Sequence, residues 1–215
     1  MKNFLFLDSE TSGTEKQHGI IQIAGFIDRV NHLNDIEPLE NFNFLCNIFK
    51  DEVFSKEALE VNGHKESEIA NYPLPSETYQ KLHTILQKYV HYPDKYTMVA
   101  YNSSFDYEML NKWYPKASNG KKQFWHFICG NVFDLMSIMV DLNSWGKIKT
   151  KNLKLKTVAD YFGIQYQAHD AFDDVGATRE LYYRYKRYQE NNLPIESMST
   201  PFEFKKEVLE NIELE

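Results

Sequence analysis

Asp8 and Glu10 in FLFLDSET, and His169 and Asp174 in HDAFDD, place three carboxylates and an imidazole at opposite ends of this chain. That set suits metal-assisted phosphodiester hydrolysis, with oxygen ligands for a divalent cation and one group that exchanges a proton near neutrality. Side chains alternate between the faces of a β-strand, so Asp8 and Glu10 share a face near the C-terminal end of their run. Carboxylates held that close repel one another. A divalent cation relieves the repulsion, and hard oxygen donors favour Mg²⁺ or Mn²⁺ over zinc. Asp106 adds a fourth acid: it follows VAYNSSF, so it stands just past a buried strand, where a helix begins and turns its positive dipole end toward the site.

These residues need a scaffold. Asn3 to Leu7, Gly19 to Val30 and Phe42 to Phe49 read as three successive strands, an antiparallel meander. Ser55 is the expected N-cap of a short helix in KEALEVN, and Pro75-Ser76-Glu77 opens a longer one through Val90, with Leu82, Ile85, Leu86 and Val90 on one face. YTMVAYNS reads as a strand feeding the helix FDYEMLNKWY, and FWHFICGNVFDL as a short strand leading into a helix through Leu142. LKTVADYFG reads as a helix closed by Gly163, and DAFDDVGATRELYYRYKRY as a long amphipathic helix capped by Asp170 and Asp173. A meander followed by alternating strands and helices specifies an α/β fold with a mixed sheet flanked by helices. Such sheets bind ligands beyond the carboxyl ends of their strands, where Asp8, Glu10 and the residues after Ala100 lie.

The 215 residues, 42% hydrophobic and 15% aromatic, suffice for one catalytic domain over residues 1–192, followed by an acidic tail at 193–215 with a short helix from Pro201. The apolar run in MKNFLFLDSE is shorter than a signal peptide needs, and no stretch approaches the ~20 apolar residues of a membrane helix, so a soluble, cytoplasmic protein with no membrane contact is expected. Cys46 and Cys129 stand alone in apolar runs and read as reduced core thiols. A net charge of −7 argues against a nonspecific nucleic-acid coat protein. It does not argue against a nuclease, because bound cations reverse the local sign of an acidic site. The run WGKIKTKNLKLK, with Lys147, Lys149, Lys151, Lys154 and Lys156, reads either as a solvated loop or as a stripe that tracks the phosphates of an entering strand.

FLDSETSGT, VAYNSSFDYEML and AHDAFDDVGATRELY together resemble the three motifs of the DEDDh, or DnaQ-like, 3′→5′ exonuclease family, which has an RNase H-like fold. The resemblance implies two divalent ions, Mg²⁺ or Mn²⁺. Asp8 would bridge both, Glu10 and Asp174 would complete the nucleophile-side site, Asp106 would act through the other ion, and His169 would be the general base. It further implies single-stranded 3′ ends as substrate, DNA favoured and RNA possible, and nucleoside 5′-monophosphates as product. The backbone of Thr11, Ser12 and Gly13 would meet the terminal 3′-OH, with Phe105 shaping the pocket.

Asn62 and Tyr101 stand where many members carry histidine. Tyr166 and Asp170 also fit the Tyr-x-x-x-Asp signature of a sister branch. The histidine register is preferred because, counted from Asp174, Ala177, Leu181 and Tyr182 fall at the packing positions of the closing helix. The alternative function is a polymerase-associated proofreading or nucleic-acid-binding scaffold, with the tail contacting a polymerase or another protein.

Overall fold

The computed structural model describes residues 1–90, 93–130 and 132–204. Its sheet has the order β3-β2-β1-β4-β5, built from β1 (Lys2–Thr11), β2 (Ile20–His32), β3 (Asp35–Leu45), β4 (Thr97–Ala100) and β5 (Phe133–Asp134). β1, β2 and β3 pair antiparallel, while β4 pairs parallel to β1 and β5 parallel to β4. The expected meander followed by parallel strands is therefore present.

The third strand differs from expectation at both ends. It starts at Asp35 rather than Phe42 and stops at Leu45 rather than Phe49. β3 is an edge strand that pairs only with β2, and an edge in contact with solvent accepts the polar residues of DIEPLEN, Pro38 included, that carry no apolar signal.

The helices are α1 (Lys56–Asn62), α2 (Glu66–Ile69), α3 (Pro75–Tyr89), α4 (Ser103–Ala117), α5 (Leu135–Ser144), α6 (Leu155–Tyr161) and α7 (Ala171–Glu190). The local chemistry that starts them is visible. The Ser55 hydroxyl accepts from the Ala58 N–H at 3.3 Å, and the Glu77 carboxylate reaches back to the Leu74 N–H at 2.9 Å. Asp134 caps α5 through the Met136 N–H and also accepts from the Asn102 N–H at 2.9 Å, which ties the start of α5 to the start of α4. α2 is a single turn that sequence reading did not anticipate. FWHFICGNVFDL forms a 3₁₀ turn at Phe124–His126 before the two-residue β5.

Alternation along β1 divides the core in two. Leu5 and Leu7 pack with Leu82, Leu110 and Tyr114 under α3 and α4. Phe6 packs with Val99, Leu135, Val175, Leu181 and Tyr183 under α5 and α7. α7 is fixed to the sheet by a buried pair: Arg179 Nε and Nη2 donate to the two Asp28 oxygens at 2.8 Å each, and the Tyr183 hydroxyl donates to the same carboxylate at 2.8 Å. Cys46 is fully buried, and the Cys129 sulfur, only partly buried, lies 3.6 Å from the Thr97 hydroxyl. No helix among the described residues is long and apolar enough to cross a membrane.

The beginning of the tail folds back on α7. Ahead of the expected helix there is a 3₁₀ turn at Ile195–Ser199; residues 201–204 are irregular, and the rest of the helix expected from Pro201 falls on residues 205–215, outside the described residues. Arg184 donates to the Met198 carbonyl at 3.1 Å, Arg187 donates to the Ser197 carbonyl at 2.8 Å, and the Phe202 ring stacks on Tyr183 at 5.1 Å. Truncation after Asn192 removes the fully buried Met198. It is expected to cost about 2–3 kcal/mol, or roughly 5–10 °C in melting temperature. A truncated chain melting with the full-length protein would show that this segment contributes nothing to stability.

Candidate active site

β1 outruns its parallel neighbour. Its pairing with β4 runs from Phe4–Thr97 to Phe6–Val99, and β4 ends one residue later at Ala100. Asp8 and Glu10 continue the Phe4 and Phe6 row on the α7 side, so their carboxylates stand beyond the apolar floor where the sheet opens. Asp106 enters from the first turn of α4, buried, with the Ser9 hydroxyl donating to its Oδ1 at 2.7 Å. Asp174 enters from the first turn of α7, whose cap is Asp170, accepting from the Phe172 and Asp173 N–H groups at 3.0 and 3.2 Å. The Gln22 amide also donates to Asp170 at 3.0 Å, so Asp170 is occupied in holding the helix start. Ala177, Leu181 and Tyr182 are all buried.

The four acids repel within a crowded space. Burial holds the Asp8 carboxyl well above the ordinary carboxylate range, and the charges of Asp106, Asp174, Glu10 and Asp170 push it the same way. Glu10 is pushed up to about 7 by burial, then by Asp174 and Asp106. Asp106 reaches about 7 through burial, against the lowering effect of its bond to Ser9. Asp174 reaches about 6, again through burial, opposed by the His169 N–H and the Tyr166 hydroxyl. His169 is exposed, has a positive φ of 70°, and donates its backbone N–H to Asp174 Oδ2 at 3.1 Å. One ligand atom each from Glu10, His169 and Asp174 lie within 4.8 Å of one another. Clustered carboxylates whose charged forms are disfavoured by burial and by each other are the donor set a hard divalent cation satisfies, so the residues fit the expected metal.

The electrostatics carry a pH dependence. Raised carboxyl values mean that the metal-free folded protein binds more protons than the unfolded chain between about pH 4 and about pH 7, so its stability falls as pH rises through that window. The melting temperature of chelator-treated protein is expected to drop between about pH 4 and about pH 7, and added Mn²⁺ is expected to recover it at the upper end. A metal-free profile that climbs over this range would contradict the charge repulsion.

The loop after β1 is tightly built. Ser12 is fully buried: its hydroxyl donates to the Val53 carbonyl at 2.7 Å and accepts from the Gly19 N–H at 2.9 Å. The Thr11 hydroxyl donates to the Gly13 carbonyl at 2.8 Å. A Cβ on Gly13 would lie 2.4 Å from His18 Nδ1, so only glycine lets the chain pass that ring. Ser12 and Thr11 thus spend their side chains on loop shape, and the Ser12 main chain is paired as well, its N–H donating to the Gly19 carbonyl at 2.8 Å and its carbonyl accepting from the Ser55 N–H at 2.7 Å. Phe105 is half-buried and packs against the core on the α3 and α4 side.

Three contributors escaped the reading of the sequence as site residues. Ser9 orients Asp106. Asn62 donates to the Thr11 carbonyl at 3.1 Å and hydrogen-bonds Glu10, joining the loop to a metal-site acid. Tyr166, noted as a rival motif residue, hydrogen-bonds Asp174 instead of pairing with Asp170. A polar residue beside a motif acid is the only signal available for Ser9, and the signal for Asn62 is its place at a position where many family members carry histidine.

A five-stranded mixed sheet with acids converging at the open end of its first strand defines an RNase H-like nuclease fold. The family model described as Exonuclease (RNase_T) matches residues 5–182, so the chain belongs to this exonuclease family, in its DnaQ-like, DEDDh branch. Among solved structures, Escherichia coli Exonuclease I in complex with a dT13 oligonucleotide is similar at a TM-score of 0.70 and 22% identity, over 89% of this chain and 42% of that one. The zinc-bound form of the E. coli Exonuclease I–single-stranded DNA complex gives 0.70 and 22%, over 88% and 41%. The moderately thermophilic Exonuclease I of Methylocaldum szegediense gives 0.67 and 22%, over 83% and 39%. This chain spans about two fifths of the length of these proteins. No curated protein sequence matches it significantly.

Proposed function

We propose that this protein is a metal-dependent 3′→5′ exonuclease that removes nucleoside 5′-monophosphates one at a time from single-stranded 3′ ends, with DNA as the favoured substrate. The observation that carries the reading is the convergence of Asp8, Glu10, Asp106 and Asp174, each with its charged form disfavoured, at one end of the sheet. A fold that served only as a scaffold for a polymerase would gain nothing from holding four repelling acids together.

Two divalent cations, Mg²⁺ or Mn²⁺, held by these four acids would neutralise charge on the scissile phosphate and on the departing 3′-oxygen. His169 accepts the proton of the attacking water and releases it to solvent, which its exposed position permits. The left-handed backbone at His169, fixed by its N–H bond to Asp174, sets where the ring stands relative to Glu10. The backbone of Thr11 to Gly13 meets the terminal 3′-OH, held in shape by Asn62 and by the buried Ser12 hydroxyl. Phe105 shapes the pocket beside Asp106.

A protein partner for residues 193–215 is a separate reading, tested by co-purification with and without that segment. The exonuclease itself is tested with a 3′-labelled single strand of DNA and its RNA counterpart. The label is expected to leave as a mononucleotide from the earliest time point, faster from DNA. Release of labelled oligonucleotides would mean internal cutting and overturn the assignment.

A further inference from the structure

Resting on the exonuclease reading, we propose that residues 145–156 form a binding track for single-stranded DNA that delivers the strand to the carboxylate site. WGKIKTKNLKLK holds five lysines and no acid, in a chain whose net charge is −7. From Lys147 to Lys151 burial alternates, with Ile148 only 1% exposed and Lys147, Lys149 and Lys151 on the solvent side. The buried isoleucine pins the segment and leaves three ammonium groups outward. Lys154 is also exposed, and none of these four makes an ion pair among the described residues. Elsewhere Lys88, Lys112 and Lys116 each face a carboxylate. Trp145, 77% exposed, heads the run and supplies the kind of ring on which an unpaired base stacks.

The other end of the segment adjoins the site. Tyr101, the first residue past β4, donates its hydroxyl to the Leu153 carbonyl at 2.6 Å. The Lys156 ammonium lies 5.7 Å from the centre of the Tyr166 ring, and the Tyr166 hydroxyl bonds Asp174. Four lysines that make no ion pair among the described residues, with an exposed indole at the far end and Lys156, paired with Asp160, at the near end beside Tyr166, have the composition of a groove that follows a phosphate backbone. It also adds positive field for a polyanionic substrate in a chain of net charge −7.

The test uses the full chain and a fluorescent dT20, with binding read by anisotropy over a salt series in an Asp8→Asn background that prevents degradation. Lys147→Gln/Lys149→Gln/Lys151→Gln is expected to weaken binding at least tenfold and to reduce the slope of log affinity against log salt by about 2, since each single-strand phosphate contact contributes about 0.7. Trp145→Phe is expected to remove the quenching of indole emission on binding. With Asp8 restored, the triple variant is expected to lower kcat/KM for a 20-mer relative to a trinucleotide by at least tenfold, chiefly through KM. An unchanged salt slope and length dependence would overturn the proposal. A lysine-dependent term stronger for U20 than for dT20 would overturn its assignment to DNA. Lysine-dependent binding by a wild-type chain that releases no nucleotide would instead sustain the track and sink the exonuclease reading.

Discussion

Asp8→Asn is expected to reduce hydrolysis by about 10³-fold or more while leaving the metal-free protein at least as stable as the wild type. Divalent-ion charge stabilisation is worth several kcal/mol of the barrier, and each 1.36 kcal/mol is tenfold in rate. Asp8 is the acid on which every other site acid acts: Asp106, Asp174, Glu10 and Asp170 all raise its pKa. An amide at that position keeps the shape and removes the charge that the others oppose, so the chelator-treated variant gains stability near neutral pH. The two readouts move in opposite directions, which separates loss of function from loss of fold. A variant that hydrolyses normally, or one that loses activity only because it unfolds, would contradict the role given to Asp8.

His169→Ala is expected to lower kcat by about 10²–10⁴-fold, the usual contribution of a general base. The structure makes this substitution more informative than rate alone, because the imidazole lies close enough to Glu10 and Asp174 to share a cation with them. If His169 is the base, Mn²⁺ affinity measured in the metal-depleted protein stays near the wild-type value while kcat falls. A large loss of Mn²⁺ affinity would make His169 a ligand and vacate the base. Tyr166, hydrogen-bonded to Asp174, would then be the next residue to substitute.

The parts of the molecule that could be read from the sequence are those whose signal is periodic or chemically unusual. β1 announces itself through FLFL and the Asp-x-Glu that follows, and α7 through Asp170 as cap and Ala177, Leu181 and Tyr182 as its buried row. Asp106 was legible because a buried strand ends just before it.

What could not be read has physical causes. The first half of β3 is a solvated edge, so its polar residues look like a loop. β5 is two residues long and owes its place to pairing with β4 rather than to its own composition. The return of residues 195–204 onto α7 depends on arginines reaching backbone carbonyls, and a carbonyl acceptor leaves no mark on residue type. The same holds for Asn62, whose tie to Thr11 bridges 51 positions and ends on main chain.

The most direct test is digestion of a 5′-labelled single-stranded DNA 20-mer by the wild type in Mg²⁺, in Mn²⁺ and in chelator, beside Asp8→Asn. A ladder that shortens from the 3′ end with either metal, and is absent with chelator and in the variant, is the result expected of a carboxylate-held metal exonuclease. An intact oligomer in every lane, or cleavage that persists in chelator or in the variant, would contradict it.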